Sequence, residues 1–255
     1  MNASVTQIII ILVAGLVAGF VNTMAGGGSF LTIAALELTG LPIIMANGTN
    51  RVAVEVQTIM AILGFRSKGI SDAKLSIQFA IPALLGAVLG AYLVIDLPTT
   101  IFRRFMAVAM LMMLVILVIR PTRWFKERQI EMTPKRKLLG AVALFVVGIY
   151  GGAIQAGVGF LLIASLVVVA GLNLVQANSH KVFIIATYTL FALGTFALKG
   201  QVNWILGLIL AVGNGVGGWL ASRLAVEKGE GLVRAVLGIM LAVLSIRYLG
   251  LIPGF

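Results

Sequence analysis

Long apolar stretches recur along the chain, at 8–24, 48–65, 75–95, 105–119, 138–154, 182–198, 205–221 and 232–246. At 1.5 Å of rise per residue, each is about long enough to cross a hydrocarbon layer of ~30 Å. The pattern predicts an all-α polytopic membrane protein. The first stretch lacks a basic leading region and is followed by further spans, so it reads as a retained span and not a signal peptide. One interruption stands out. "NTMAGGGSF" (Asn22 to Phe30) sets three consecutive glycines inside apolar sequence. Each glycine disfavours a helix by roughly 1 kcal/mol relative to alanine, and in lipid the freed backbone groups have no water to bond.

The same pattern occurs twice. With an offset of 131 positions, "AGGGSFL" (25–31) falls on "AGVGFLL" (156–162), and "GLPIIMAN" (40–47) on "GLNLVQAN" (171–178). Phe65, Lys68 and Gly69 fall on Phe196, Lys199 and Gly200, Asp96 on Glu227 and Arg103 on Arg234. The chain therefore reads as two homologous repeats in one membrane domain, 1–120 and 138–255, joined by a basic linker at 121–137. Each repeat is expected to hold a Gly-broken helix with a short half-helix (30–38 and 160–169) plus three spans. An Asn-containing motif, "ANGTNR" or "ANSHK", is expected to open the next helix. The basic residues balance almost equally in parallel and inverted arrangements. Inversion is the expectation, because midplane sites at half-helices occur in inverted repeats.

Composition fixes the class. The chain is 60% hydrophobic and 11% charged, with mean hydropathy +1.12, well outside the soluble range. The net charge of +11 does not indicate nucleic acid. Seven of the 19 basic residues, Arg120, Arg123, Lys126, Arg128, Lys135, Arg136 and Lys137, lie in the linker or at its edge, where they read as a topology signal that keeps this loop cytoplasmic. The sequence has no cysteine and one histidine, so disulfides, thiol catalysis and metal clusters are not expected, and no cofactor is implied.

The candidate chemistry lies at the breaks. A half-helix starting at Gly26, Gly27 and Gly28 offers unpaired N–H groups and a positive dipole end to an oxyanion, and Ser29 adds a hydroxyl. Asn47, Gly48, Thr49, Asn50 and Arg51 read as a second helix start. The other repeat supplies Gln155, Gly157, Gly159, Asn178, Ser179, His180 and Lys181, and Asn22 flanks the first break. Each has a plainer reading. Arg51 and Glu55 are spaced to neutralise one another. His180 serves packing as readily as proton transfer. Glu37, a carboxylate in a half-helix, either carries a proton or bonds a loop amide. Gly86, Gly90, Gly213 and Gly217 read as close-packing glycines. "GNGVGG" (213–218) fits a dinucleotide fingerprint only by coincidence, since it follows no strand.

These residues carry a resemblance. "NTMAGGGSFLTIAAL…TGLP…ANGTNR", followed by a weaker copy ending in "AN", resembles the sulfite exporter TauE/SafE family of membrane permeases over essentially the whole chain. The resemblance implies a bacterial inner-membrane transporter of sulfite or organosulfonates such as sulfoacetate. It also implies a substrate site at Gly26–Ser29 and Asn47–Arg51 with Gly157, Gly159 and Asn178 opposite. The second copy has Val158 for the middle glycine and His180–Lys181 for Thr49–Asn50. The expected function is a secondary transporter, proton-coupled through Glu37, Glu55 or His180, with a small anion, protons and membrane lipid as partners and no enzymatic activity. An anion channel, or a transporter of another anion or of a metal cation, is the alternative. The sequence leaves a homo-oligomer open.

Overall fold

The computed structural model describes residues 5–70, 72–118 and 133–248, all helix and connecting turns. The helices are α1 (Val5–Met24), α2 (Ser29–Glu37), α3 (Ile43–Ser67), α4 (Ala73–Ile95), α5 (Thr99–Val118), α6 (Pro134–Ala153), α7 (Val158–Ala170), α8 (Leu174–Leu198) and α9 (Trp204–Tyr248). Helices α1, α4, α6, α8 and the 204–228 part of α9 are long and apolar enough to cross a membrane. Their outer faces carry Ile9, Val13, Leu85, Leu138 and Leu208, all more than half exposed, as suits a lipid-facing surface. This is an all-helical, multi-pass membrane protein.

Several boundaries differ from the sequence reading, each for a local reason. The motifs 47–51 and 178–181 do not start their helices. Helix α3 starts one turn earlier, after Pro42, with Ala46 N–H bonded to Pro42 O. Helix α8 starts after Asn173, which forms a reciprocal capping box with Gln176. The motifs thus lie inside helices, where their amides are bonded within the helix and only their side chains are available. The stretches 205–221 and 232–246 belong to one helix. In the first repeat Pro98 separates α4 from α5, whereas the residue 131 positions later is Gly229, which does not force a break. Lys135, Arg136 and Lys137 belong to the first turn of α6, capped by Thr133. The rest of the basic linker, with Arg120, Arg123, Lys126 and Arg128, lies outside the described residues.

The packing exchanges helices between the two halves of the chain. Helix α1 lies on α9, with Gly15 against Leu210 O, Gly19 against the Asn214 backbone and Gly217 against Leu16 O. Helix α6 lies on α4 in the same manner, with Gly86 against Phe145 O and Gly90 against Ile149 O. A Cβ on any of these glycines would overlap the neighbouring main chain, so the close approach depends on them. Helix α3 also packs on α9 and α8 on α4, so the described residues are built around two three-helix bundles, α1–α3–α9 with α2 and α5 against it and α4–α6–α8 with α7 against it. Two surface ion pairs follow the same exchange: Lys68 with Glu227 at 2.7 Å and Lys199 with Asp96 at 2.8 Å.

The bundles meet along α3 and α8, which run antiparallel. The start of α3 lies at the end of α8, where Arg51 stacks on Phe196 and Gly48 abuts Gln201 O. The end of α3 lies at the start of α8, where Ser179 Oγ donates to Ile70 O. Moving α3 by 131 positions lands on α8 residue for residue.

Candidate anion site at two broken helices

Helix α1 ends where Ala25 and Gly26 both donate to Val21 O. Gly26 then takes φ +105°, a left-handed conformation that glycine adopts without steric penalty. Asn22 secures the restart: its Oδ1 accepts from Ser29 N–H at 3.1 Å, and its Nδ2 donates to Ser29 Oγ at 3.1 Å. The amides of Gly27 and Gly28 find no acceptor among the described residues. In the second break Gly157 caps α7 at φ +79°. Gln155 is left-handed at φ +66°, the one such non-glycine among the described residues, and its side chain is held at both ends. Gly26 and Gly159 touch backbone to backbone, each occupying the space a Cβ on the other would need.

The open ends of α1 and α6 are capped by the opposite half of the chain. Arg51 donates from Nη2 to Gly152 O, from Nη1 to Gln155 Oε1 at 2.9 Å, and more weakly to Gly151 O at 3.4 Å. Lys181 donates to Asn22 O at 2.9 Å, Thr23 O at 2.7 Å and Asn178 Oδ1 at 2.6 Å. Asn47 donates to Ala153 O, and its counterpart Asn178 donates to Met24 O. Terminal carbonyls of a helix lack intrahelical partners and carry its negative dipole end, and in the membrane they must be satisfied by protein. The two cations meet that need while fully buried, and neither forms an ion pair among the described residues. The possible Arg51–Glu55 pair is thus replaced by bonds to α6.

Between the breaks lies a cavity lined by Asn22, Gly26, Ser29, Val54, Gln57, Gln155, Val158, Gly159 and Ile185. Its volume, about 10 Å³, is room for about one water molecule. Gln57 escaped the sequence reading. Its Oε1 accepts from Asn22 Nδ2 at 3.2 Å and its Nε2 donates to Thr23 Oγ1 at 3.2 Å. The available signal was its position two helical turns beyond Asn50, on the same face of α3. Asn214 was also missed; it is fully buried on α9, with neither side-chain polar atom bonded among the described residues.

The other candidates serve the frame. Asn50 Oδ1 accepts from Thr32 Oγ1, tying α3 to α2 at 2.6 Å. Thr49 Oγ1 accepts from Asn203 N–H at the start of α9. His180 Nδ1 shares a 2.8 Å hydrogen bond with Ser76 Oγ, and its ring meets Phe79 edge-on, joining α8 to α4. Glu37 pairs with Arg103 at 2.9 Å near the surface. Glu55 is partly buried on α3, with Oε2 unbonded among the described residues. Neither carboxylate lines the cavity.

Comparison with known proteins identifies the family. A family model described as Sulfite exporter TauE/SafE matches residues 11–248. A probable membrane transporter protein, ORF9, from Sinorhizobium sp is 28% identical over 94% of this chain and 91% of its own length. The probable membrane transporter protein YfcA of Escherichia coli K12 is 30% identical over 94% of this chain and 88% of its own length. One from Haemophilus influenzae is 28% identical, covering 94% of this chain and 93% of its own length. No solved structure matches significantly. With the match running through both broken helices and every described helix that contributes to them, the chain belongs to the sulfite exporter TauE/SafE family of membrane transporters.

Proposed function

We propose that this transporter moves small sulfur-containing anions, sulfite or an organosulfonate such as sulfoacetate, by binding the oxyanion head where the two broken helices meet. One observation carries the reading. Two fully buried cations, Arg51 and Lys181, without ion-pair partners among the described residues, flank a cavity lined by hydrogen-bonding side chains and by no carboxylate. In a low-dielectric interior, positive charge offset only by helix-end carbonyls and by no carboxylate favours entry of an anion and opposes a cation.

The cavity as it stands holds about one water, so an oxyanion enters only when α2 and α7 separate. The antiparallel α3–α8 contact and the exchanged ion pairs support two inverted repeats, related by an axis near the Gly26–Gly159 contact. The units that tilt against each other are then the two bundles, because glycine-mediated contacts lock α1 to α9 and α4 to α6. We assign proton coupling to Glu55, whose free oxygen is buried, in preference to Glu37 and His180, which are held by Arg103 and Ser76. The protein is placed in the bacterial inner membrane with the basic linker in the cytoplasm.

The test is flux into proteoliposomes of sulfite, sulfoacetate, sulfate and acetate, with and without an imposed pH gradient. Saturable, sulfonate-selective flux that follows the gradient is expected. Non-saturating flux of all four would mean a channel. No flux of any of them through folded protein would reject the anion reading.

A further inference from the structure

Three polar side chains of the cavity form one connected group. Asn22 donates to Ser29 Oγ and to Gln57 Oε1 and accepts from Ser29 N–H, so α1, α2 and α3 present a continuous polar face. All three belong to the first half of the chain. Moved by the offset of 131 positions, Asn22, Ser29 and Gln57 fall on Ala153, Phe160 and Tyr188, and Gly27 falls on Val158. The second half therefore brings no copy of that face. It lines the cavity with Gln155, whose amide is tied to Arg51 and Thr189, and with Val158 and Ile185. Those two belong with Val54 to one buried apolar cluster. The cavity thus has a polar face from the first half and, across from it, a hydrocarbon face centred on Val158 and Ile185.

The asymmetry survives opening. As α2 and α7 separate, Asn22, Ser29 and Gln57 travel with the α1–α3–α9 bundle, and Val158 and Ile185 with the α4–α6–α8 bundle. A tetrahedral head has four positions around its central atom. Three can turn to the carboxamides and the hydroxyl, and the fourth then faces Val158 and Ile185. A polar atom there loses its water and gains no partner from a branched hydrocarbon side chain. Rotating the head only exchanges which polar atom is stranded. An apolar group in that position gains burial instead.

We infer that the site holds its anion in one orientation, oxygens towards Asn22, Ser29 and Gln57 and the fourth substituent towards Val158, and that Val158 sets the polarity and size of that substituent. This rests on the anion reading above and narrows it. Sulfite, whose fourth position is a lone pair, and sulfonates with an uncharged alkyl substituent rank above sulfate, which has a fourth oxygen. A charged substituent, such as the carboxylate of sulfoacetate, ranks below an alkyl one.

The test uses two monoanions of one shape, methanesulfonate and sulfamate, which differ by a methyl group against an amine. Both are titrated calorimetrically into the purified full chain. Methanesulfonate is expected to bind about tenfold tighter. Val158→Thr keeps the shape of the side chain and gives the amine a partner, so the ratio should fall towards one. Val158→Ala makes room, so ethanesulfonate should gain on methanesulfonate relative to wild type. Thermal unfolding checks that each variant is folded, and the wild-type comparison decides the orientation without either. Equal wild-type affinities for methanesulfonate and sulfamate would overturn the inference while leaving the anion site standing. Ratios unchanged in both folded variants would overturn the role of Val158. Binding of neither anion to wild type would overturn the anion reading as well.

Discussion

Lys181 Nζ lies 2.7 Å from the main-chain oxygen of Thr23, 158 positions away in the sequence. A cation from the second half of the chain thus closes the open end of a helix in the first. Arg51 does the reverse at Gly152 on α6. Because the caps are exchanged, neither broken helix is complete without the other half, and the same bonds are expected to couple stability to transport.

Replacing Lys181 by Met should show that coupling. The variant keeps the volume and removes the donor, stranding Asn22 O and Thr23 O in a buried setting. Unfolding stability in detergent should fall by about 3 kcal/mol, and flux should fall with it. Arg51→Ala should behave alike at α6. Wild-type thermal unfolding in either variant would remove the capping role.

The contact of Gly26 with Gly159 predicts an effect out of proportion to one methyl group. Gly26→Ala places Cβ on the Gly159 backbone at a left-handed φ, with an expected destabilisation of about 2–4 kcal/mol and loss of transport. Gly194 is a control: it is helical, with no atom within 4 Å of where a Cβ would stand, so Gly194→Ala should stabilise by about 0.5–1 kcal/mol.

Gln57→Leu removes a cavity donor while keeping much of the side-chain volume. Apparent affinity for sulfite or methanesulfonate should weaken by about tenfold, read as a rise in half-saturating concentration in proteoliposomes. An unchanged value would take Gln57 out of the site.

Glu55→Gln should separate transport from its driving force. Flux down an anion gradient should persist, and its acceleration by an imposed pH gradient should disappear. Persistence of that acceleration would move the coupling elsewhere.

Inversion of the repeats can be read from accessibility. The sequence has no cysteine, so Lys68→Cys and Lys199→Cys each introduce a single thiol at equivalent positions of the two halves. An impermeant maleimide should reach them from opposite sides of the membrane; labelling of both from one side would mean parallel repeats.

The sequence by itself determined the helical membrane class, the two breaks and the offset between the halves. These are local properties: hydropathy sums over a single span, and a left-handed turn such as Gly26 or Gly157 needs its own glycine wherever the rest of the chain goes. Helix starts were misplaced at 47 and 178 because the cap residues Pro42 and Asn173 set them, while the polar motif beyond has other work. Only the tertiary structure decided that work. Arg51 could pair with Glu55 in an isolated helix, but carbonyls at Gly151 and Gly152 that lipid cannot solvate bind it more strongly. Gln57 drew no attention as one polar residue in an apolar span; it became part of the site once α1 and α3 brought Asn22 to it. Such partners lie tens to hundreds of positions apart. Their meeting depends on glycine contacts between α1 and α9 and between α4 and α6, which no single stretch of sequence encodes.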